Sequence, residues 1–256
     1  YTDSRISNKN SKIFLQTNMP LAGGFLKNDD IKNDKSYPLT LSFCEESSSV
    51  QVNESIDPKI LFNKYFYKTG SINTLKDHLK SSADKIKLRH NHNKIIDLGC
   101  NDFTFLKNFL NKSKLIVGVD PSDVSQKNLT DGILLDNDFF SYEKSKKLKQ
   151  EHGEFDVVFS SNNFAHIENI QDYTNGISNL LSKDGVFVCE VHWIGTIINN
   201  MQFSFIYHEH LYYYTLKSLQ YLLSKYNLYI DDIDEIDIHG GSIRIFASKN
   251  NIKNKS

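Results

Sequence analysis

The sequence has almost no excess of charge of either sign. Its 256 residues include 30 Lys and Arg against 31 Asp and Glu, so the formal net charge is −1 at pH 7. A protein that binds nucleic acid neutralises phosphates with a basic patch, and such a patch makes the net charge positive. Nucleic acid is therefore not an expected partner.

Cysteine is also scarce. The chain has three, Cys44, Cys100 and Cys189, and they lie far apart. An odd number of distant cysteines does not form a disulfide framework, and free thiols favour a reducing compartment. We therefore expect a cytoplasmic protein.

Long apolar runs, proline and glycine are lacking as well. No apolar run approaches the roughly 18 residues that cross a bilayer, and the polar residues 1–11 contain no apolar segment of a secretory signal. The 4 Pro and 12 Gly are too few for collagen-like or low-complexity structure. The sequence predicts a globular protein without a membrane partner.

From residue 94 onward, apolar runs alternate with helical patterns. Runs that are apolar on both faces suit strands of a parallel sheet covered by helices on each side, and the two late runs suit an antiparallel edge. The predicted strands are 94–98, 115–119, 132–135, 155–160, 185–191, 228–236 and 242–247, and the predicted helices are 104–110, 142–150, 170–181 and 215–226.

Residues 1–90 are rich in Asn, Lys and Ser and have a different pattern. Short strands are predicted at 37–43 and 49–52, and apolar residues at helical spacing predict a helix at 72–88. We predict two domains, a small N-terminal α+β domain at 1–90 and a doubly wound α/β domain at 91–256.

The first strand of the second domain ends in a loop that is typical of a nucleotide-like cofactor site. The loop reads Asp97-Leu-Gly99-Cys-Asn101, and glycine lets the backbone turn tightly. Asp120 ends the second strand, where an acid binds ribose hydroxyls, and Asp138, after the third, can reach an adenine amino group. The loop lacks the further glycines of a dinucleotide site.

An acid before the loop glycine suits the ammonium of S-adenosylmethionine, which is therefore the expected cofactor. The expected fold is the class I methyltransferase (Rossmann-like) doubly wound sheet. The alternative is that Gly99 only turns a strand into a helix and that Asp97 caps it.

Histidines and asparagines cluster after the later strands. Six of the nine histidines fall between positions 152 and 239, and histidine can take and return a proton near neutral pH. Because ligands bind at the carboxyl ends of parallel strands, Asn162 and Asn163 are assigned to the cofactor site. His192 is expected to be a hydrogen-bonded core residue. The histidines expected at the solvated surface are His78, His90, His92 and His152.

Five motifs then follow one another along the chain: Gly99-Cys-Asn-Asp102, Ser161-Asn-Asn-Phe-Ala-His166, Glu190-Val-His-Trp193, Tyr207-His-Glu-His210 and His239-Gly-Gly-Ser-Ile-Arg244. With them the sequence resembles the S-adenosylmethionine-dependent sugar C-methyltransferase family, whose members methylate ketone-bearing deoxysugars attached to a nucleotide. The resemblance implies a role in carbohydrate biosynthesis and a small-molecule substrate, a sugar or a nucleotide-linked sugar.

The resemblance also implies roles for individual residues. We expect His210 to be the general base, with Glu209 and His166 sharing or orienting the proton. His208 and His239 are assigned to substrate binding. The residues that line the substrate site in the family match Tyr207, Glu209, His210 and His166 here, and a tyrosine of the N-terminal domain matches Tyr67, with Tyr65 behind it.

The sequence departs from the family in three ways. The two zinc-binding pairs read Tyr1-x-x-Ser4 and Cys44-x-x-Ser47 here, and structural zinc takes four Cys or His ligands, so no metal is expected. Phe103 replaces a loop glycine, which either narrows the methionine end of the cofactor site or changes helix packing. The C-terminal domain of the family is expected to be missing.

Two other functions stay open at this point. The missing C-terminal domain favours methylation of oxygen on a small phosphorylated or sugar metabolite in surface-polysaccharide biosynthesis. Phe103 and the lost zinc ligands favour a non-catalytic, cofactor-binding partner of a second enzyme.

Overall fold

A computed structural model describes residues 2–22, 32, 34–57 and 68–250. Its first sheet contains β1 (Thr2–Asp3), β2 (Asn10–Pro20), β3 (Ser36–Cys44), β4 (Ser49–Val52) and, from far along the chain, β10 (Tyr212–Tyr213). The strands lie in the order β1-β2-β3-β4-β10, and all neighbours are antiparallel. The strands predicted at 37–43 and 49–52 are confirmed.

A second, seven-stranded sheet forms the centre of the described molecule. Its strands are β5 Lys94–Leu98, β6 Leu115–Val119, β7 Leu134–Asp136, β8 Phe155–Ser161, β9 Leu181–His192, β11 Tyr229–Ile236 and β12 Ser242–Ser248. They lie in the order β7-β6-β5-β8-β9-β12-β11, with β5 to β9 parallel and β12 antiparallel to both of its neighbours.

The large sheet is buried on both faces because successive side chains of a strand point to opposite sides. Ile95 and Val157 belong to one apolar cluster and Ile96 and Val158 to another, and all four are fully buried. The runs that are apolar on both faces therefore predicted this sheet correctly.

Helices cover both faces of the large sheet. The helices are α1 Asn73–Arg89, α2 Asp123–Lys127, α3 Tyr142–His152, α4 Ile170–Leu180, α5 Ile194–Asn199 and α6 Leu216–Ser224. Helix α1 packs on one face through Leu79, Ala83 and Ile86, whereas α4 and α6 pack on the other through residues such as Ile177 and Leu219.

Helix α1 lies within the predicted N-terminal unit but packs against the large sheet. Strand β10 comes from the second predicted unit but completes the first sheet. The domain boundary at residue 90 stays a prediction.

The helix predicted at 104–110 is wrong in kind and extent. Only Leu106–Phe109 is helical in this stretch, as a short 3-10 helix. Asn101 and Phe103 before it have φ of +48° and +63°, and Leu110 after it has ψ of 136°. An α-helix can neither start in the first conformation nor continue through the second.

Candidate active site

The loop after β5, residues 99–103, is called the cofactor loop here, and it folds back onto the end of β6. Gly99 has φ of +91°, and its N–H donates to the carbonyl of Val119 at 2.8 Å. The Asn101 N–H donates to Asp120 Oδ2 at 2.9 Å, and the Ser122 N–H donates to Asp120 Oδ1 at 2.8 Å. The carboxylate predicted to bind ribose is thus fixed beside the loop.

Asp97 is buried at the end of β5 with 4% of its surface exposed. Burial, together with the nearby carboxylates of Asp120 and Glu190, raises the pKa of Asp97 well above its usual value. Among the described residues, no cationic side chain forms an ion pair with it. A positively charged ligand at this strand end would stabilise the ionised acid, which fits the ammonium and sulfonium of S-adenosylmethionine.

Asp138 lies beyond β7 in a more exposed position. Lys144 binds it at 2.9 Å, and 58% of the Asp138 side chain is exposed. The hydrogen bond from Lys144 and that from the Phe139 N–H lower its pKa. Its contact with an adenine amino group stays a prediction.

The Phe103 ring is fully buried in the apolar core below the cofactor loop. It packs against Gly118 of β6, where an added Cβ would lie 3.0 Å from Phe103 Cε1 and 2.6 Å from Cys100 Sγ. The structure thus shows how Phe103 packs, and a narrowing of the methionine end of the cofactor site stays a prediction.

The loop after β8 contains both predicted asparagines and brings Asn163 to the cofactor loop. Asn162 has φ of +51°, and its N–H donates to the Glu190 carbonyl at 2.9 Å. The Asn163 amide donates to the Leu98 carbonyl at 3.2 Å. A Cβ added at Gly99 would lie 3.0 Å from Asn163 Cγ, so the close approach of these two loops requires glycine.

His210 lies at the centre of a buried group of imidazoles. Its ring centroid is 5.0 Å from that of His166 and 5.8 Å from that of His192. His210 Nδ1 is 3.1 Å from the Phe205 carbonyl, which can only accept, so Nδ1 carries the proton. Nε2 is then the acceptor of the Tyr207 hydroxyl at 3.0 Å. The surroundings fix one tautomer.

The electrostatics of this group favour neutral imidazoles. Burial lowers the pKa of His210 well below its usual value, and the neighbouring His166 and His192 lower it further. Burial also lowers the pKa of His166. It raises the pKa of Glu209 and, with the Glu209 charge, raises that of Tyr207 to about 12.

Further contacts join the motifs into one site. His166 Nδ1 donates to the Glu209 carbonyl at 2.8 Å, which links the loop after β8 to the segment of His210. His192 Nε2 donates to the carbonyl of His239, so His192 is buried and hydrogen-bonded as predicted. The rings of His192 and His239 are 6.1 Å apart.

His208 points away from this group. It is 1% exposed, its Nε2 donates to the Pro38 carbonyl of β3 at 2.9 Å, and its ring lies edge-on to Tyr37. Its assignment to substrate binding stays a prediction.

Tyr65 and Tyr67 lie outside the described residues. The chain just after them is docked on the cofactor loop, because the Thr69 N–H donates to Asn101 Oδ1 at 3.0 Å and the Gly70 N–H donates to Asp102 Oδ2 at 2.8 Å.

A buried ionic cluster beside the site was not predicted from the sequence. Glu190 of β9 is fully buried and accepts hydrogen bonds from His78 Nε2 at 2.9 Å, Ser82 Oγ at 3.1 Å, Ser161 Oγ at 2.7 Å and Arg244 Nε at 2.7 Å. Burial alone would raise the pKa of Glu190, but the hydrogen bond from His78 and the charge of Arg244 outweigh it and lower the pKa to about 2.

The prediction of a solvated His78 is wrong, because α1 turns its ring onto Glu190 and leaves 11% of the side chain exposed. The sequence did contain one indication of the ionic cluster, because Glu190 and Arg244 both stand in motifs that carry the family resemblance. Their pairing became visible only in the structure. The other three histidines predicted to be solvated are half-buried, each against a phenylalanine: His90 on Phe246, His92 on Phe109 and His152 on Phe155.

Within the described residues, no group of three or more His, Cys, Asp or Glu side chains is arranged to hold a metal ion. In the same ranges, no helix combines the length and apolar character that a membrane span requires.

Comparison with known proteins agrees with this geometry. A family model described as a methyltransferase domain matches residues 72–233. The chain belongs to the S-adenosylmethionine-dependent methyltransferases. A second family model, described as “Putative zinc binding domain”, matches residues 7–62 of this methyltransferase.

A curated relative is the C-methyltransferase NovU of Streptomyces niveus, 31% identical over 239 residues. The match covers 90% of this methyltransferase and 56% of NovU, so the chain spans little more than half of that protein. The predicted family resemblance is confirmed.

Two solved structures show the same fold. A methyltransferase from Anabaena variabilis, 16% identical, has a TM-score of 0.53, with 66% of this chain and 82% of that chain covered. The magnesium protoporphyrin IX methyltransferase of Synechocystis, solved with bound S-adenosylhomocysteine, is 13% identical, with a TM-score of 0.50 and coverages of 67% and 82%. The predicted class I methyltransferase fold is confirmed.

Proposed function

We propose that this methyltransferase transfers a methyl group to a carbon next to a ketone in a small, polar, sugar-derived substrate, with His210 as the general base. The observation that carries the proposal is the single tautomer of His210, whose Nε2 is an unprotonated acceptor in a buried pocket. The similarity to a C-methyltransferase supports carbon as the acceptor atom.

The residues of the cofactor site would divide the binding of S-adenosylmethionine among them. Asp97 would face positive charge, Asp120 the ribose and Asp138 the adenine, while Gly99, Asn101, Asn162 and Asn163 shape the space between. When bound, the cofactor supplies an electrophilic methyl group on a positively charged sulfur.

His210 can accept a proton because its lowered pKa keeps the imidazole neutral at physiological pH. The carbon–hydrogen bond next to the ketone would break, with the proton going to Nε2 and the electron pair delocalising onto the carbonyl oxygen. That pair would then form the new carbon–carbon bond to the methyl group, while the electron pair of the broken carbon–sulfur bond would stay on the cofactor sulfur, which becomes neutral. The Tyr207 hydroxyl, which donates to Nε2 in this structure, can donate instead to the oxygen that gains charge. His166 and Glu209 would orient or share the proton, and the family resemblance assigns Tyr67 to the substrate site.

The substrate class is proposed from the family resemblance and from the polar side chains grouped around His210. Imidazoles of His166, His210 and His239 and the phenol of Tyr207 offer hydrogen bonds to hydroxyl and carbonyl groups. A nucleotide-linked keto sugar of carbohydrate biosynthesis is the proposed substrate. The proposed location is the cytoplasm, which agrees with three free, buried thiols.

Replacement of the base tests the mechanism. With a nucleotide-linked keto deoxysugar and methyl-labelled cofactor, His210→Ala should lower turnover by about 10²–10⁴-fold while S-adenosylhomocysteine binds with unchanged affinity. His152→Ala is the matched control, because that ring packs on Phe155 at the start of β8, where the parallel strands have their amino ends, whereas the site lies at their carboxyl ends.

The product identifies the acceptor atom. A C–CH3 signal in the NMR spectrum supports the proposal, and a methyl group on oxygen would replace it with O-methylation. Cofactor binding without any transfer to such sugars would contradict an enzymatic role on this substrate class, and full turnover by His210→Ala would remove His210 as the base.

A further inference from the structure

Two turns of the first sheet meet in the interior. One joins β1 to β2 and contains Ser4 and Ser7; the other joins β3 to β4 and is flanked by Cys44 and Ser47. All four side chains are buried. The sequence assigns Tyr1 and Ser4 to the first pair, and residue 1 lies outside the described residues. In the structure Ser7 lies against Cys44, with Ser7 Oγ 3.3 Å from Cys44 Sγ.

The two turns have the same form. Each has two inward side chains three positions apart, followed by a residue in the left-handed region: Asn8 with φ of +59° and Ser48 with φ of +50°. Two such pairs of cysteines, each with two residues between them, are the usual frame of a structural zinc site. Three of the four positions, Ser7, Cys44 and Ser47, lie within the stretch that matches the zinc-binding family model, residues 7–62, and Ser4 lies just before it.

The side chains present do not fit a zinc ion. Structural zinc is held by four thiolate or imidazole ligands, whereas this frame presents three hydroxyls and one thiol. The hydroxyls instead bind one another and the thiol: Ser47 Oγ lies 2.8 Å from Ser49 Oγ, Ser4 Oγ lies 3.4 Å from Ser49 Oγ, and Ser7 Oγ lies 3.3 Å from Cys44 Sγ. Each of the three hydroxyls of the frame, those of Ser4, Ser7 and Ser47, therefore has a hydrogen-bond partner.

We propose that this methyltransferase holds its two N-terminal turns together with a metal-free hydroxyl cluster, formed by Ser4, Ser7, Cys44, Ser47 and Ser49, in place of structural zinc. The backbone completes the cluster as it would around thiolates. The N–H groups of Ile6 and Ser7 both donate to Ser4 Oγ at 3.3 Å.

The hydroxyl cluster also fixes the turns on the central domain. Ile6 is fully buried in the largest apolar cluster, and its carbonyl accepts from Lys225 Nζ at 3.0 Å. In the other turn, the Ser48 carbonyl accepts from Thr215 Oγ1 at 2.8 Å. The cluster thus holds the two turns together at the interface between the two sheets, as a structural zinc ion would.

The position of the turns matters for the site because β4 starts inside the cluster, at Ser49. Strand β4 pairs with β10, where Tyr212 lies opposite Gln51, and β10 begins two residues after His210. The cluster therefore supports the strand that follows the proposed base.

Metal analysis of the unaltered chain is the direct test. We expect protein purified without chelators to contain no stoichiometric zinc by elemental mass spectrometry, and its melting temperature to be unchanged by 1,10-phenanthroline. One zinc per chain, with a fall in melting temperature on its removal, would overturn the proposal.

Loss of one hydroxyl tests the cluster itself. Ser47→Ala should lower the melting temperature by about 2–4 °C, the effect of losing roughly one buried hydrogen bond in a chain of this size. Ser36→Ala, at an exposed position of the same sheet, is the matched control and should leave it unchanged. Equal melting temperatures for both variants would show that the cluster contributes nothing.

Restoring the thiolates tests the geometry. The triple variant Ser4→Cys, Ser7→Cys, Ser47→Cys places three thiols around Cys44 and should bind one zinc per chain, with a melting temperature that falls on chelation. A folded triple variant that takes up no zinc would show that the four positions do not converge. If the variant does not fold, metal content and the Ser47→Ala and Ser36→Ala pair decide the question.

Discussion

At the scale of single residues, the site depends on which atom of His210 carries a proton. The Phe205 carbonyl and the Tyr207 hydroxyl together assign the proton to Nδ1 and leave Nε2 as acceptor. Burial then keeps the ring neutral by lowering its pKa. Geometry and electrostatics thus select the same state, the one that a general base needs before it reacts.

This state has a consequence for the pH dependence of turnover. A base is active when unprotonated, so turnover should fall only as the pH drops through the lowered pKa of His210, which lies well below the usual 6.5. We expect turnover at saturating substrate to stay level from neutral pH to below 6.5. The measurement is a pH series with the keto sugar substrate.

His210→Ala is the reference in that series, and its residual rate should lack the acidic limb. A limb centred at 6.5 or above in the unaltered chain would show that the imidazole is not buried as described.

Phe103 shows how one residue can be tolerated where glycine is expected. Its backbone takes a φ of +63°, which disfavours most side chains. The ring is accommodated because Gly118 of the next strand leaves space for it and for Cys100. Burial of a whole aromatic ring stabilises the loop enough to offset that backbone strain.

At the scale of elements, the ionic cluster of Glu190 connects four of them. His78 and Ser82 belong to α1, Ser161 ends β8, Glu190 lies in β9 and Arg244 in β12. Because Asn162 follows Ser161 directly, the cluster also supports the loop that carries the proposed cofactor asparagines.

We expect Glu190→Gln to destabilise the fold by about 3–5 kcal/mol, because it removes the fully buried carboxylate that pairs with Arg244 and leaves that guanidinium only the partly exposed Asp234, at 3.3 Å. Urea unfolding at pH 7 measures this loss. Ser161→Ala, which removes one hydrogen bond to the same carboxylate, should cost only about 1 kcal/mol. Equal, small effects of both changes would show that the carboxylate is not ionised.

The difference in unfolding free energy between the unaltered chain and Glu190→Gln should depend on pH, and its direction follows from the pKa of Glu190. The pKa of Glu190 is about 2 in the folded state against 4.5 for the unperturbed group, so its ionisation stabilises the fold above pH 4.5. That contribution, up to roughly 3 kcal/mol, is lost as the pH falls toward 2. The gap in unfolding free energy between the unaltered chain and Glu190→Gln should therefore narrow below pH 4.5.

The elements differ in how far the sequence reveals them. Strands β5 and β6 have the predicted bounds because both of their faces are buried, so that each strand coincides with a nearly continuous apolar run. Strand β2 left no such pattern, since most of its side chains are exposed. The helix predicted at 104–110 had the right apolar spacing, but backbone conformations that the spacing does not encode interrupt it.

The site was predicted through its motifs rather than through its geometry. His166, His210 and Tyr207 do meet: His166 follows β8, and the segment of Tyr207 and His210 is joined to it by the hydrogen bond from His166 to the Glu209 carbonyl. The Glu190 cluster was missed because His78 and Glu190 are 112 positions apart, and nothing local in α1 distinguishes a buried histidine from an exposed one.

At the scale of the whole molecule, the two sheets share the segment that carries the proposed base. Tyr213 of β10 is packed in an apolar cluster with Leu39 and Val50 of the first sheet, and its hydroxyl accepts from the Tyr207 N–H at 3.2 Å. The cofactor loop, by contrast, rests on the large sheet.

This division predicts separable effects. Leu39→Ala, at a fully buried position, should destabilise the chain by about 2–5 kcal/mol and should lower methyl transfer by disturbing the segment of Tyr207 and His210. The affinity for S-adenosylhomocysteine, measured by calorimetry on the folded fraction, should stay the same. Leu134→Ala, a half-exposed position at the far edge of the large sheet, is the control for a remote truncation.

An equal loss of cofactor affinity and transfer in Leu39→Ala would contradict the division, because it would place the first sheet against the cofactor as well.

The pairing of β4 with β10 also sets an order of events during synthesis. Gln51 leaves the ribosome roughly 160 residues before its partner Tyr212, an interval of roughly 10–30 s at translation rates of about 5–20 residues per second. Throughout that time β4 has one open edge, and an open edge can recruit a strand of another nascent chain. Slower elongation between the codons of Gln51 and Tyr212 would lengthen the time for which the edge of β4 is exposed. Co-translational chaperones could bind the nascent chain at that edge.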